Sequence, residues 1–144
     1  MEVLQPLTLP AKLDSLNAAR EYVKAAALST GLDEDAVYHL QLAVNEIATN
    51  IIIHGYEKAN LSGDLTIKGE LTDEVLRITL EDSGVPFNPF TLKLPEEKDL
   101  LIPLQERPIG GLGVYLAINS ADRFDYERDG NLNRNIFEMR LRKS

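Results

Sequence analysis

Glu46, Asn50 and His54 recur at intervals of four in the stretch Asn45-Glu46-Ile47-Ala48-Thr49-Asn50-Ile51-Ile52-Ile53-His54-Gly55-Tyr56. On a helix such a row stacks turn upon turn, drifting by about 40° per step. It sets a carboxylate, an amide and an imidazole beside the apolar stripe of Val44, Ile47 and Ile51. Residues 40–53 contain no Lys or Arg, and Glu46 is their only charge. Burial disfavours the charged form of a carboxyl, so a lone Glu beside a buried face is a candidate general base. Two blander roles compete: a solvated Glu, and a His that complements the dipole at a helix C-terminus. A zinc site is poorly supported, because the chain has no cysteine and its other histidine, His39, falls on a different helix face.

A second stretch is Glu81-Asp82-Ser83-Gly84-Val85-Pro86-Phe87, where an alternating apolar run leads into Asp82 and the chain turns at Gly84. A carboxylate at the mouth of a strand can accept a hydrogen bond from a ligand amine, and a glycine lets the ligand approach the backbone. An ordinary Asp-Ser-Gly turn has the same appearance in isolation. The third stretch, Arg107-Pro108-Ile109-Gly110-Gly111-Leu112-Gly113-Val114, sets three glycines before a helical run. Free N–H groups at a helix N-terminus bind phosphate, and glycines let the backbone wrap it. The spacing is neither that of a P-loop nor that of a dinucleotide fingerprint. A flexible hinge is the competing reading.

The elements that must position these residues follow from hydrophobic period. Residues 3–9 are expected to be extended, closed by Pro10. Asp14 is expected to cap a first helix with Leu16, Ala19, Val23 and Ala26 on its apolar face, and Gly31 follows its end. A second helix starts near Asp33, carries Val37, Leu40, Val44, Ile47 and Ile51, and ends at Gly55. Leu65 to Leu71 and Leu76 to Leu80 alternate with period two around Thr72-Asp73-Glu74, a hairpin. Residues 83–113 hold five of the seven prolines and no clear period, which marks a lid or binding loop. A short helix over 114–121 and a final hairpin turning at Asp129-Gly130-Asn131 complete the chain. Antiparallel strands with helices to cover one face predict an α+β fold, a two-layer α/β sandwich in a single domain over residues 1–144. The terminal strands leave an edge that a dimer could cover.

Composition narrows the function. The chain carries 23 acidic and 15 basic residues, a net charge of −8, which repels phosphate backbones and argues against direct binding to nucleic acid or to an anionic membrane. It does not exclude a small anion held with a divalent cation. No apolar run is long enough to span a bilayer, and the N-terminus lacks the pattern of a secretory signal, so a cytoplasmic location is expected.

Together the three stretches, in this order, resemble the GHKL (histidine-kinase-like) ATPase superfamily. Glu46-x-x-x-Asn50-x-x-x-His54 is similar to its N box, Asp82-x-Gly84 to its G1 box, and Gly111-Leu112-Gly113 to its G2 box, with residues 85–110 as the ATP lid. Asn50…His54-Gly55-Tyr56, Pro86-Phe87 and Glu106-Arg107-Pro108-Ile109-Gly110-Gly111-Leu112-Gly113 most resemble the bacterial anti-sigma-factor serine/threonine protein kinases of partner-switching systems. The resemblance covers nearly the whole chain. It implies a Bergerat-type ATP-binding fold, with a mixed, mostly antiparallel sheet covered on one face by helices. It implies ATP and Mg²⁺, with Asn50 as the magnesium ligand and Glu46 as the catalytic base. Asp82 would accept the adenine amino group, with Gly84 making room for the ring. His54, Gly110, Gly111, Leu112, Gly113 and Val114 would complete the nucleotide site, and Arg107, from its place in the lid, would reach the γ-phosphate.

The implied partners are a small anti-anti-sigma (STAS-type) protein, whose serine is phosphorylated, and a sigma factor that is sequestered. A homodimer is implied as well. The chain departs from the family pattern at Asn88, where Asp is frequent, in a lid whose only cations are Lys93, Lys98 and Arg107, and in a final hairpin without the usual Gly-Thr pair. The alternative function is a non-catalytic, ATP-dependent partner-switching module. Such a module does not need Glu46, so its presence favours the kinase. A sensor histidine kinase is disfavoured because there is no room for a dimerisation helix pair.

Overall fold

The computed structural model describes residues 2–89 and 117–141. The elements run β1 (Glu2–Val3), β2 (Leu7–Pro10), a 3₁₀ turn (Leu13–Ser15), α1 (Leu16–Leu28), α2 (Glu34–Asn50), a π-helical segment (Ile51–Glu57), β3 (Asp64–Leu71), β4 (Val75–Asp82), β5 (Arg123–Asp129) and β6 (Leu132–Arg140). Residues 117–120 are also helical. The sheet order is β1-β3-β4-β6-β5, with β2 on the same outer edge of β3 as β1. Every pairing among the described residues is antiparallel, where a mixed sheet was expected. The α+β sandwich itself is as the sequence predicts.

Alternation decides which face is covered. Leu65, Ile67, Leu76, Ile78, Leu80, Phe124, Phe137 and Met139 are buried on one side of the sheet. Against them lie Ala19, Val23, Ala26 and Ala27 of α1 and Val37, Leu40, Ala43, Val44, Ile47 and Ala48 of α2. The alanines keep these two helices close to each other and to the sheet. The other sheet face carries charges paired across strands. Glu81 meets Lys68 at 2.7 Å and Arg134 at 2.6 Å, and Arg77 meets Glu138 at 2.7 Å. Opposite charges facing each other across strands favour this register.

Three boundaries differ from the sequence expectation. The first strand is broken: between Val3↔Glu70 and Leu7↔Ile67 the edge strand spends one more residue than β3. Pro6, which has no N–H to give, lies in this bulge. Asp14 does not cap α1. It lies inside the 3₁₀ turn, and Ser15 at the N-cap makes no side-chain cap bond. Asp33, by contrast, does cap α2, accepting the Ala36 N–H at 2.8 Å. Gly55 does not end the second helix. The helix widens into π-helical turns through Glu57, and the reversal comes at Asn60, whose φ is 56°. Asn tolerates the left-handed region better than most residues.

Both hairpins form where expected. Thr72 accepts the N–H of Val75 at 3.0 Å and that of Glu74 at 3.2 Å through its hydroxyl. Gly130, at φ 63°, supplies the positive φ needed at the first central position of the two-residue turn between β5 and β6.

Tyr56 ties the π-helical segment to the sheet. It is 2% exposed; its hydroxyl accepts the Ser83 N–H at 2.9 Å and donates to the Asp64 carbonyl at 3.1 Å. Tyr56→Phe leaves both backbone groups without that partner and should cost about 1–3 kcal/mol. Thermal and urea unfolding of the variant should show the loss; an unchanged midpoint would mean that water replaces the hydroxyl.

Candidate functional site

The site lies where the C-terminal end of α2 and its π-helical extension meet the end of β4. Glu46 and Asn50 stand on the last turns of α2, and His54 stands on the π-helical segment. In an α-helix four residues overshoot one turn. In a π-helix, with its i→i+5 bonding, they fall short of one. The drift from Glu46 to Asn50 is therefore turned back between Asn50 and His54, and the row stays on one side.

Each side chain in the row has a distinct setting. Glu46 is half-buried, and burial pushes its carboxyl above the usual carboxylate range. No described cation pairs with it. The Asn50 amide is tethered one turn back, its Nδ2 donating to the Glu46 carbonyl at 3.0 Å. Among the described residues its Oδ1 is an uncommitted acceptor, and such an amide oxygen suits a hard cation. His54 stacks on Phe87, with ring centroids 6.3 Å apart and planes 20° from parallel. Burial first, and Lys58 second, pull its pKa below the ordinary histidine value. Its Nδ1 is buried without a hydrogen-bond partner.

Asp82 closes the site from the sheet side. It is 4% exposed. Its Oδ1 accepts the Gly84 N–H at 2.9 Å and Asn133 Nδ2 at 3.0 Å. Burial raises its pKa, while those two bonds and the Arg128 charge hold the rise in check. Both bonds fall on Oδ1, so among the described residues Oδ2 is uncommitted. Gly84 is required by contact rather than by turn geometry: a Cβ there would lie 2.6 Å from the Gly55 carbonyl oxygen. The Val85 N–H bonds to that same oxygen at 3.0 Å. The helix row and the Asp82 turn, separate in sequence, are thus joined backbone to backbone.

Two residues of this end escaped the sequence reading. Asn133 and Asn135 occupy helix-facing positions of β6, in line with Phe137 and Met139, and are 2% and 1% exposed. Amides at the inward positions of an alternating strand were the signal that could have found them. Asn135 Oδ1 is buried without a partner, a setting that costs about 1–3 kcal/mol in a protein interior. Arg107, Gly110, Gly111, Leu112, Gly113 and Val114 lie outside the described residues.

A cavity of about 760 Å³ opens at the other end of α2, lined by Asp33, Asp35, His39, Asp122 and Arg140 among others. It contains none of the candidate residues. Among the described residues no group of three or more His, Asp or Glu side chains could hold a metal ion.

Known proteins bear on this arrangement. Residues 9–141 match the histidine kinase-like ATPase domain. The chain is 32% identical over 111 residues to a serine-protein kinase RsbW from Bacillus mycoides, covering 76% of this chain and 68% of that protein. It is 26% identical over 137 residues to the serine-protein kinase RsbW of Halalkalibacterium halodurans, covering 92% and 83%. Among solved structures, it superposes on the RsbU and RsbW domains of Rv1364c from Mycobacterium tuberculosis with a TM-score of 0.64 at 16% identity. That match covers 98% of this chain and 34% of the longer one, so the chain spans about a third of that structure. The histidine kinase AdeS of Acinetobacter baumannii superposes with a TM-score of 0.52 at 13% identity, over 97% of this chain and 70% of that one. At such identities the structural likeness is one of fold. A buried carboxylate at a strand mouth, a Glu–Asn–His helix row and a match over residues 9–141 agree: the chain belongs to the histidine kinase-like ATPase family.

Proposed function

We propose that this chain is an ATP-dependent serine-protein kinase that acts as an anti-sigma factor, phosphorylating a small STAS-type anti-anti-sigma protein and sequestering a sigma factor. One observation carries the reading. Among the described residues Glu46 is an unpaired, half-buried carboxylate one helical turn from an amide whose oxygen has no donor. A module that only binds nucleotide has no need of such a base. The serine-protein kinase names of the relatives point the same way.

In the transfer, the serine oxygen of the partner forms a bond to the γ-phosphorus. The bond from that phosphorus to the bridging oxygen breaks, and ADP leaves with the electron pair. Glu46 takes the hydroxyl proton, a task its raised pKa suits better than that of an exposed carboxylate. Asn50 Oδ1 would hold Mg²⁺, which when bound neutralises charge on the phosphates. Asp82 Oδ2 accepts the adenine amino group. His54, stacked on Phe87, holds the first residues of the lid against the helix. Arg107 and the glycines Gly110, Gly111 and Gly113, with Leu112 and Val114, are assigned to the phosphates by family position.

We assign the protein to the cytoplasm and to a homodimer. Among the described residues no helix is long and apolar enough to cross a membrane. The outer edge of β1 and β2, with Val3 65% exposed, supports pairing with a second copy.

Glu46→Gln should lower serine phosphorylation of the partner by about 10²-fold or more while ATP binding persists. Wild-type initial rates should fall as the pH is lowered through the Glu46 pKa, because the base acts ionised. Burial places that midpoint above the usual carboxylate range. A Gln variant as fast as wild type would exclude Glu46 as the base. Asn50→Ala should remove the Mg²⁺ dependence of ATP binding, read by calorimetric titration with and without the metal. Retained Mg²⁺ dependence would move the metal elsewhere.

A further inference from the structure

Asn133 faces Asp82 directly in the sheet register, and every hydrogen-bonding position of its amide is used. Nδ2 donates to Asp82 Oδ1 at 3.0 Å and to the Gly84 carbonyl at 3.1 Å. Oδ1 accepts from the Tyr126 hydroxyl at 2.7 Å and from Arg128 Nη1 at 2.8 Å. The polarity of the amide is thereby determined. Turned over, its NH₂ would face the Arg128 guanidinium, which can only donate, and its oxygen would face two acceptors.

This network decides what Asp82 can offer a ligand. With Oδ1 tied by Asn133 and by the Gly84 N–H, Oδ2 is the oxygen left to meet a base. A carboxylate oxygen accepts from an exocyclic amine and repels a carbonyl oxygen. Adenine presents an amine at the position where guanine presents a carbonyl. We propose that Asn133 is the specificity-determining positioning residue of the base end, locking the Asp82 carboxylate so that a 6-amino purine is accepted and a 6-oxo purine refused. The proposal rests on the ATP-binding reading above.

Two further features support it. Tyr126 and Arg128 of β5 brace the amide from behind, so the strand beyond β6 takes part in setting Asp82. Two residues along the same face, Asn135 buries an unpartnered Oδ1. The polar strip thus runs past Asp82 and is incompletely satisfied among the described residues.

The test is calorimetric titration with Mg-ATP, Mg-GTP and inorganic tripolyphosphate of the wild type and of Asn133→Leu, Asn133→Thr and Arg128→Met. Wild type should prefer ATP to GTP. Asn133→Leu should lose about ten-fold in ATP affinity, with the ATP-to-GTP ratio falling toward one and tripolyphosphate binding kept within about two-fold. Asn133→Thr, whose hydroxyl can still give Asp82 one bond, should recover part of the ratio. Arg128 is exposed, so its variant should fold and lower the ratio by a smaller factor. An unchanged ratio in Asn133→Leu, or equal losses for all three ligands, overturns the proposal. If that variant does not fold, an unchanged ratio in Arg128→Met overturns it. Wild type that binds both nucleotides equally overturns this inference alone, whereas wild type that binds neither overturns the ATP-binding reading with it.

Discussion

The carbonyl of Gly55 and the Cα of Gly84 meet with no room between them for a methyl group. This contact sets the distance between the helix row and the end of β4. It is reinforced on both sides, by the Val85 N–H on the Gly55 carbonyl and by the Tyr56 hydroxyl on the Ser83 N–H. Backbone cannot change rotamer to relieve a clash, so the seam has little freedom to slide. Glu46, Asn50 and His54 keep their relation to Asp82 only while the seam is closed. The π-helical segment serves the same end, since its wider turns bring the Gly55 carbonyl to the strand while keeping His54 in the row.

Neighbouring acids on β4 show how one strand manages opposite electrostatic demands. Glu81 and Asp82 are adjacent, so their side chains leave the sheet on opposite faces. On the open face, desolvation works to raise Glu81, but Lys68 and Arg134 outweigh it and hold the carboxyl below the usual range. On the helix-facing side, desolvation wins at Asp82 and the pKa is raised, with Asn133, Gly84 and Arg128 only tempering it. The paired acid stabilises the sheet register. The buried one leaves Oδ2 uncommitted among the described residues, a setting that marks a candidate functional carboxylate.

Much of the fold is readable from spacing. The apolar steps of three and four over residues 16–26 and 37–51 became α1 and α2, and the period-two runs became β3 and β4. Thr72 and Gly130 turned the chain where turn chemistry said they would. Errors gathered at boundaries. Asp14 was read as a cap because a lone acid before an apolar run has that appearance; the 3₁₀ turn at Leu13–Ser15 moved the helix start past it. Gly55 was read as a stop because glycine so often ends helices. Here it is buried inside the π-helical segment with its carbonyl against Gly84, and Asn60 makes the reversal instead.

The sequence by itself determined which residues could do chemistry, because type and local spacing suffice for that. A lone Glu in an apolar helix stretch, an amide one turn on, an Asp at a strand mouth and glycines before a helical run need no partner to be recognised. Only the tertiary structure decided that the helix row and Asp82 share one site, because their meeting depends on a backbone contact between residues 29 positions apart, Gly55 and Gly84. It alone disclosed Asn133 and Asn135, whose importance comes from the strand that lies beside them. Side-chain direction along β6 is a matter of local period. Which carboxylate an inward amide will face is a matter of register, and register is set by the whole sheet.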